Sequence, residues 1–434
     1  MRVGVSSVNI TPPIGVPLAG YRARNEVSIG IHDDLYAKAI VFDDGDTEAA
    51  LVRCDLICLE RDFVEETRRL IEAETGIHSR NIMITCTHTH SGPITNPLFP
   101  DLNAWMKVLS RKIKGAVAEA RRNMKEAKIG FNHGSVEGIV INRRKPNGPV
   151  DTEVGIIRID DNDDNPMAVL VNYTCHAVVL GSDNLLISAD YPGYVMDFVE
   201  NNLGIPTLFV NGACGDINPL DKLAIMRLKR GENIYSRRGG TFEEAKRLGS
   251  MIGAEALKLF LGTETEEGLE LKVTSRNVKI PLSNLPSLRE AKKILEENKQ
   301  LFRKLVSEKE DITQMYRAAT IIKRAQKVIE YINSGENARS AEIQAFKIGD
   351  GGLIALPGEI FVEIGINIKR KSGLKHTFIC ELANDNIGYV PTEEAFKEPG
   401  YEVKIAKRRN YTEKVGCIIE DSALEALNNL ASAG

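Results

Sequence analysis

The residues most able to do chemistry lie together in Thr87-His88-Thr89-His90-Ser91-Gly92-Pro93, which holds two of the chain's 7 histidines. They follow Asn81-Ile82-Met83-Ile84-Thr85-Cys86, an apolar and β-branched run that predicts a buried strand ended by the Ser-Gly-Pro turn. On a strand, residues i and i+2 face the same side, so His88 and His90 would point into one cleft at the strand's carboxyl end. Two imidazoles so placed suit metal binding or proton transfer. They equally suit a pair of histidines capping a strand, and the pair alone does not decide between these.

Four further features share that position. His176 closes Asn172-Tyr173-Thr174-Cys175-His176 after an apolar run, where a lone histidine is ordinarily a core or capping residue. Asn211-Gly212-Ala213-Cys214-Gly215-Asp216-Ile217-Asn218-Pro219 follows the apolar run Thr207–Val210; its small residues make a sharp turn, or let backbone N–H groups approach a ligand. Leu356-Pro357-Gly358-Glu359 puts a carboxylate after a turn, where it would also favour the positive end of a helix. Tyr389 lies in Asn384–Phe396, again past a strand. In α/β sheets ligands bind beyond the carboxyl ends of strands. Two His, one Glu and one further oxygen would make an N/O site suited to Zn²⁺.

Strand and helix patterns alternate around these features. Strands are predicted at Arg2–Ile10, Tyr36–Phe42, Glu48–Leu59, Asn81–Thr87, Lys128–Asn132, Glu153–Ile159, Met167–Tyr173 and Pro206–Asn211. Helices are predicted at Phe63–Glu74, Leu102–Asn123, Tyr191–Asn202 and Thr241–Leu261. A strand at Leu269–Ile280 precedes a charged helical stretch, Ser287–Ser334, whose Leu295, Leu301 and Leu305 form an apolar stripe. It reads as a solvated antiparallel hairpin, inserted over about residues 285–335 and broken near Glu308–Ile312. The β/α pattern then resumes at Ala341–Ile348, Gly352–Leu356, Phe361–Lys371 and His376–Leu382, with a last helix at Ser422–Leu430. The expected fold class is α/β, a mixed β-sheet flanked by helices with the hairpin inserted, and the expected organisation is one domain over 1–434.

Composition narrows the function classes. Of the residues, 43% are hydrophobic and 27% charged, as in globular proteins, and a net charge of −4 offers no long-range attraction to nucleic acid or anionic membrane. No apolar run is long enough for an integral membrane span, and the start lacks a signal-peptide core, so a cytoplasmic protein is expected. Its 7 cysteines are scattered, mostly inside apolar runs, and predict reduced buried thiols rather than a disulfide framework. The expected partner is a small-molecule substrate; assembly into a homo-oligomer stays open.

The His-Thr-His-Ser-Gly-Pro run, His176, the 211–219 turn, Pro357-Gly358-Glu359 and Tyr389-Val390-Pro391-Thr392-Glu393-Glu394 stand in the order found in neutral (alkaline, non-lysosomal) ceramidases. The resemblance runs from Asp33-Asp34-Leu35-Tyr36 to Tyr401-Glu402 and implies a ceramidase-like zinc hydrolase domain. It implies zinc ligands His88, His176, Glu359 and Tyr389, with His90 near the water or substrate as general base and acid. It also implies Tyr401 or Arg143 as oxyanion stabilisers, the Arg143 match being the shortest. Asp216 is expected either to orient a zinc-bound imidazole or to serve as a structural turn residue. The chain departs from the family at Asn218, where ceramidases carry a serine proposed as nucleophile; an amide cannot attack a carbonyl, though it could donate a hydrogen bond to one. Neither the family's C-terminal immunoglobulin-like domain nor a secretion signal is expected. The expected activity is cleavage of a non-peptide amide bond by metal-activated water. The alternatives are an esterase or lactonase using the same zinc, and a non-catalytic metal- or ligand-binding protein.

Overall fold

Alternation of side chains along each strand builds the core. In Tyr36–Asp43, the small residues Ala37, Ala39 and Val41 face one cluster while Ile40 and Phe42 face another. Glu48–Cys54 repeats the division, with Ala50, Val52 and Cys54 on one side and Ala49 and Leu51 on the other. Helices Arg61–Thr75 and Pro100–Arg122 cover the first side. At Gly4 a Cβ would lie 1.9 Å from the Ala120 carbonyl oxygen, so glycine is what allows the long helix this close. The second side packs against another sheet.

A computed structural model describes residues 1–232, 234, 238–308 and 311–432. Among these, an eight-stranded mixed sheet runs in the order Thr207–Asn211, Pro166–Tyr173, Glu153–Asp161, Lys125–Ser135, Arg2–Asn9, Tyr36–Asp43, Glu48–Cys54 and Ile82–Cys86. A four-stranded sheet follows in the order Leu271–Pro281, Ala338–Ile348, Gly351–Ala355 and His376–Cys380. The two sheets share the cluster containing Phe42, Leu208, Phe346 and Phe378. Asp190–Leu203 and Phe242–Leu261 cover the other half of the large sheet, and Val362–Lys371 and Val415–Ser432 cover the small one. The α/β class with helix-flanked mixed sheet is as expected, but two facing sheets replace the single one.

The joint in the large sheet is narrow: Arg2 and Val3 pair with Glu126 and Lys125, and no further register pairs join those strands. The sheet turns there, and its far edges, Ile82–Cys86 and Thr207–Asn211, approach each other. The chain beyond His376–Cys380 runs between them. Thr85 Oγ1 donates to the Glu381 carbonyl at 2.7 Å, and Glu381 N–H donates to the Asn211 carbonyl at 2.9 Å. Both edge strands are parallel to their neighbours, as are Gly351–Ala355 and His376–Cys380. Their carboxyl ends therefore converge.

Two expectations about elements need correction. Glu48–Leu59 ends as a strand at Cys54, and the following loop turns its carbonyls toward the HTH segment. The inserted stretch forms helices Leu288–Glu308 and Ile312–Ser334, but it is not simply solvated. Phe302, Ala318, Ala319 and Ile322 join the core beside Phe99, whose ring centroid lies 5.9 Å from that of Phe302. The break expected near Glu308–Ile312 includes residues 309–310, which lie outside the described residues.

Candidate metal centre

His88 does not reach the centre through strand alternation. The strand ends at Cys86, and His88 adopts φ 65°, a left-handed conformation uncommon outside glycine. Its N–H donates to the Leu56 carbonyl at 3.0 Å and its Nδ1 lies 2.8 Å from the Ile57 carbonyl oxygen. His176 is held in the same way, with Nδ1 at 2.5 Å from the Cys214 carbonyl and 3.2 Å from that of Ile217. A carbonyl at Nδ1 fixes the proton there and leaves the Nε2 lone pair facing the centre, the arrangement of a metal-binding imidazole. Both rings are buried.

Glu359 completes the group. Its Oε2 lies 3.3 Å from His176 Nε2 and 3.6 Å from His88 Nε2. It sits in a two-residue strand, Glu359–Ile360, paired in parallel with Tyr389–Val390 so that Glu359 stands opposite Tyr389. The following helix begins only at Val362, so Glu359 is a centre-facing side chain rather than a helix-end charge. Burial works to raise its carboxyl, but the His176 and His88 rings outweigh it and hold the group well below the usual range.

His90 differs from the other two imidazoles. Its Nε2 lies 3.3 Å from His88 Nε2, but its buried Nδ1 has no hydrogen-bond partner. Gly20, at φ 93°, packs against this ring; a Cβ there would come within 2.2 Å of Nδ1. Burial, reinforced by His88 and His176, pushes the His90 imidazole well below its ordinary value, and it stays neutral.

Tyr389 and Arg143 form the other wall. Arg143 is buried; its Nη2 donates to the Tyr389 hydroxyl at 3.1 Å and to the Gly215 carbonyl at 2.8 Å. Its Nε donates to Glu402 Oε1 at 2.8 Å and its Nη1 to Asn218 Oδ1 at 3.2 Å. Arg143 is thus a positioning residue for Tyr389, not a donor aimed at open space. The Asn218 amide, expected as a substrate donor, gives its Nδ2 to the Ile234 carbonyl at 3.2 Å. Asp216 does not contact an imidazole: it accepts from Val362 N at 2.9 Å and Asn142 Nδ2 at 2.7 Å, fixing the start of a helix and the residue before Arg143. Tyr401, by contrast, is half-exposed with its ring 5.7 Å from that of Tyr389.

Ligating atoms of His88, His90 and His176 all lie within 4.8 Å of one another, and no other group of three or more His, Cys, Asp or Glu among the described residues gathers this tightly. Imidazole nitrogens with Nδ1 anchored, beside one carboxylate and one phenol, fit a borderline divalent metal. Sequence reasoning missed Gly20, which shapes the His90 pocket, and Glu381, which lies beneath the centre. Neither has a local spacing signal; each meets the site only through distant chain segments.

The similarity to known proteins accords with this geometry. Residues 1–211 match the family described as neutral/alkaline non-lysosomal ceramidase, N-terminal. Neutral ceramidase of Drosophila melanogaster is 25% identical over 252 residues, 50% of this chain and 36% of that protein. Neutral ceramidase B of Dictyostelium discoideum is 26% identical over 312 residues, 60% of this chain and 43% of its own. The chain thus spans less than half the length of these curated relatives. The crystal structure of neutral ceramidase from Pseudomonas aeruginosa shares the fold at a TM-score of 0.75 with 18% identity, covering 100% of this chain and 74% of that one. Residues 1–211 thus carry the match to the neutral/alkaline non-lysosomal ceramidase family, and the whole chain shares the fold of the solved neutral ceramidase.

Proposed function

We propose that this protein is a zinc-dependent hydrolase that cleaves the amide bond of an N-acylated small substrate. The observation that carries this reading is the contrast among three clustered imidazoles: two are anchored at Nδ1 by backbone carbonyls, and the third is not. His88 and His176, with Glu359 and Tyr389, would hold the metal, while unanchored His90 remains free to exchange a proton. Zinc, when bound, supplies Lewis acidity that acidifies water and polarises a carbonyl.

The protein's own residues account for the remaining requirements. Asn218 stands where ceramidases have a serine, so water is the nucleophile. Neutral His90 accepts the proton of the attacking water and returns it to the leaving amine, a role ordinarily worth about 10²–10⁴ in rate. Arg143 fixes the Tyr389 hydroxyl, and Tyr401, whose ring packs 5.7 Å from that of Tyr389, would stabilise the developing oxyanion.

Elemental analysis of purified protein, joined to a hydrolysis screen, tests this reading. One zinc per chain is expected in the wild type, with loss in His88→Ala and His176→Ala. Cleavage of N-acyl amines, ceramide among them, or of N-acyl amino acids should cease on chelation and return with Zn²⁺. Absence of stoichiometric metal, or unchanged metal in both variants, would overturn the metal assignment. Turnover of lactones or esters with no amide cleavage would overturn the amide assignment.

A further inference from the structure

Glu381 is fully buried in the segment that runs between the two edges of the large sheet. One of its carboxyl oxygens, Oε2, accepts two backbone N–H groups, from Cys214 at 2.9 Å and from Ile360 at 3.0 Å. The other, Oε1, accepts from the Cys214 thiol at 3.0 Å. Each of those backbone groups adjoins a candidate metal ligand. The Cys214 carbonyl is the acceptor that orients His176 Nδ1, and Ile360 follows Glu359. Gly215 N–H also donates to the Ile360 carbonyl at 2.7 Å, so the 211–219 turn and the Glu359 strand are tied at two points.

We propose that Glu381 is a positioning residue for the metal centre: its carboxyl sets the spacing between the turn that aims His176 and the strand that carries Glu359. This inference rests on the metal-hydrolase reading of the same centre. Groups that orient metal ligands from behind commonly alter metal affinity by about 10–100-fold when removed. Burial pushes the Glu381 carboxyl well above the usual carboxylate range, with Glu359 adding to the effect. A glutamine keeps a carbonyl oxygen for the two backbone N–H groups that tie the turn to the strand and gives up only the acceptor facing the thiol.

The test is zinc affinity by competition with a chromophoric chelator, with the unfolding temperature of the metal-free protein measured in parallel. Glu381→Gln is expected to stay within about threefold of wild type, and Glu381→Ala to bind zinc about 10–100-fold more weakly. Should the alanine variant not fold, Glu381→Met fills the space without an acceptor and carries the same expectation. Wild-type zinc affinity in the alanine or methionine variant, whatever its change in unfolding temperature, would overturn the proposal and leave Glu381 a purely structural residue. A wild-type protein that binds no zinc would instead overturn the reading on which the proposal rests.

Discussion

At the scale of single residues, the centre is defined by which imidazole nitrogens are already engaged. Carbonyls of Ile57 and Cys214 hold the protons of His88 and His176 on Nδ1, whereas His90 has no such partner and is located by packing against Gly20. Gly20→Ala therefore tests the division of labour without touching a candidate ligand. Its Cβ would overlap His90 Nδ1, and φ 93° is unfavourable for alanine. Amide hydrolysis should fall at least about tenfold while bound zinc per chain is unchanged, because general acid–base catalysis depends on sub-ångström placement. Loss of zinc in step with activity would place His90 on the metal. The sequence singled out His88, His90, His176, Glu359 and Tyr389, and the structure gathers the three imidazoles and the Glu359 carboxylate at one centre, with Tyr389 paired opposite Glu359. Asn218, expected as a substrate donor, has its amide engaged by the Ile234 carbonyl and Arg143, and of the two roles expected for Asp216 its contacts with Val362 N and Asn142 fit the structural one.

Among the elements, the inserted hairpin departs most from its sequence reading. Its charged composition predicts a solvated hairpin, yet one face joins the core through Phe302, Ala318, Ala319 and Ile322. Thr313 also donates to Asn25 Oδ1 and the Arg24 carbonyl, both at 3.3 Å, in the segment that carries Gly20. Arg24 in turn donates to the His90 carbonyl at 2.8 Å, so the hairpin and the loop carrying His90 are connected. Phe302→Ala removes the ring that meets Phe99 and should destabilise the protein by about 3 kcal/mol, measured by denaturant unfolding. A loss below about 1 kcal/mol would return the hairpin to the solvated role its composition suggests. The helices and most strands themselves were legible, because periods of 3.6 and 2 survive in the side-chain pattern. The end of Glu48–Cys54 was not: Leu56, Ile57 and Leu59 continue the apolar run, but they line a loop against the core.

Across the whole molecule, the two sheets are held together at their other end by charge as well as by their shared apolar core. Lys369, on helix Val362–Lys371, donates to Asp151 Oδ2 at 2.8 Å and Glu153 Oε1 at 2.9 Å. His133 of the large sheet lies 2.9 Å by Nε2 from His376 Nδ1 of the small one, and its Nδ1 lies 3.2 Å from Glu153. Burial works to raise the Glu153 carboxyl, but His133 and Lys369 outweigh it and hold it at about 2. The folded value lies below the model-peptide value of 4.5, so Glu153 contributes stability above pH 4.5 that is lost as the pH falls toward 2. Glu153→Gln should therefore flatten the acid limb of the stability curve between those values and lower the neutral plateau, read by chemical denaturation across pH. An unaltered acid limb would mean that this cluster does not couple the sheets.

What the sequence determined by itself was local: apolar runs ended by polar groups, the order of the motifs, the helical insertion and the absence of a serine at Asn218. Side-chain type and near-neighbour spacing carry that information, because strand and helix periodicities are short-range. The convergence of those strand ends was decided only by tertiary structure. It depends on the narrow pairing of Arg2 and Val3 with Glu126 and Lys125, which lets the large sheet turn and bring its edges together. Glu381 acquires its position for the same reason, lying far along the chain from both edges and meeting them only after the sheet has folded back. Contacts between distant segments leave no periodic trace in a single chain, so the candidate ligands stand out in the sequence, while Gly20 and Glu381, which meet the site only through distant segments, do not.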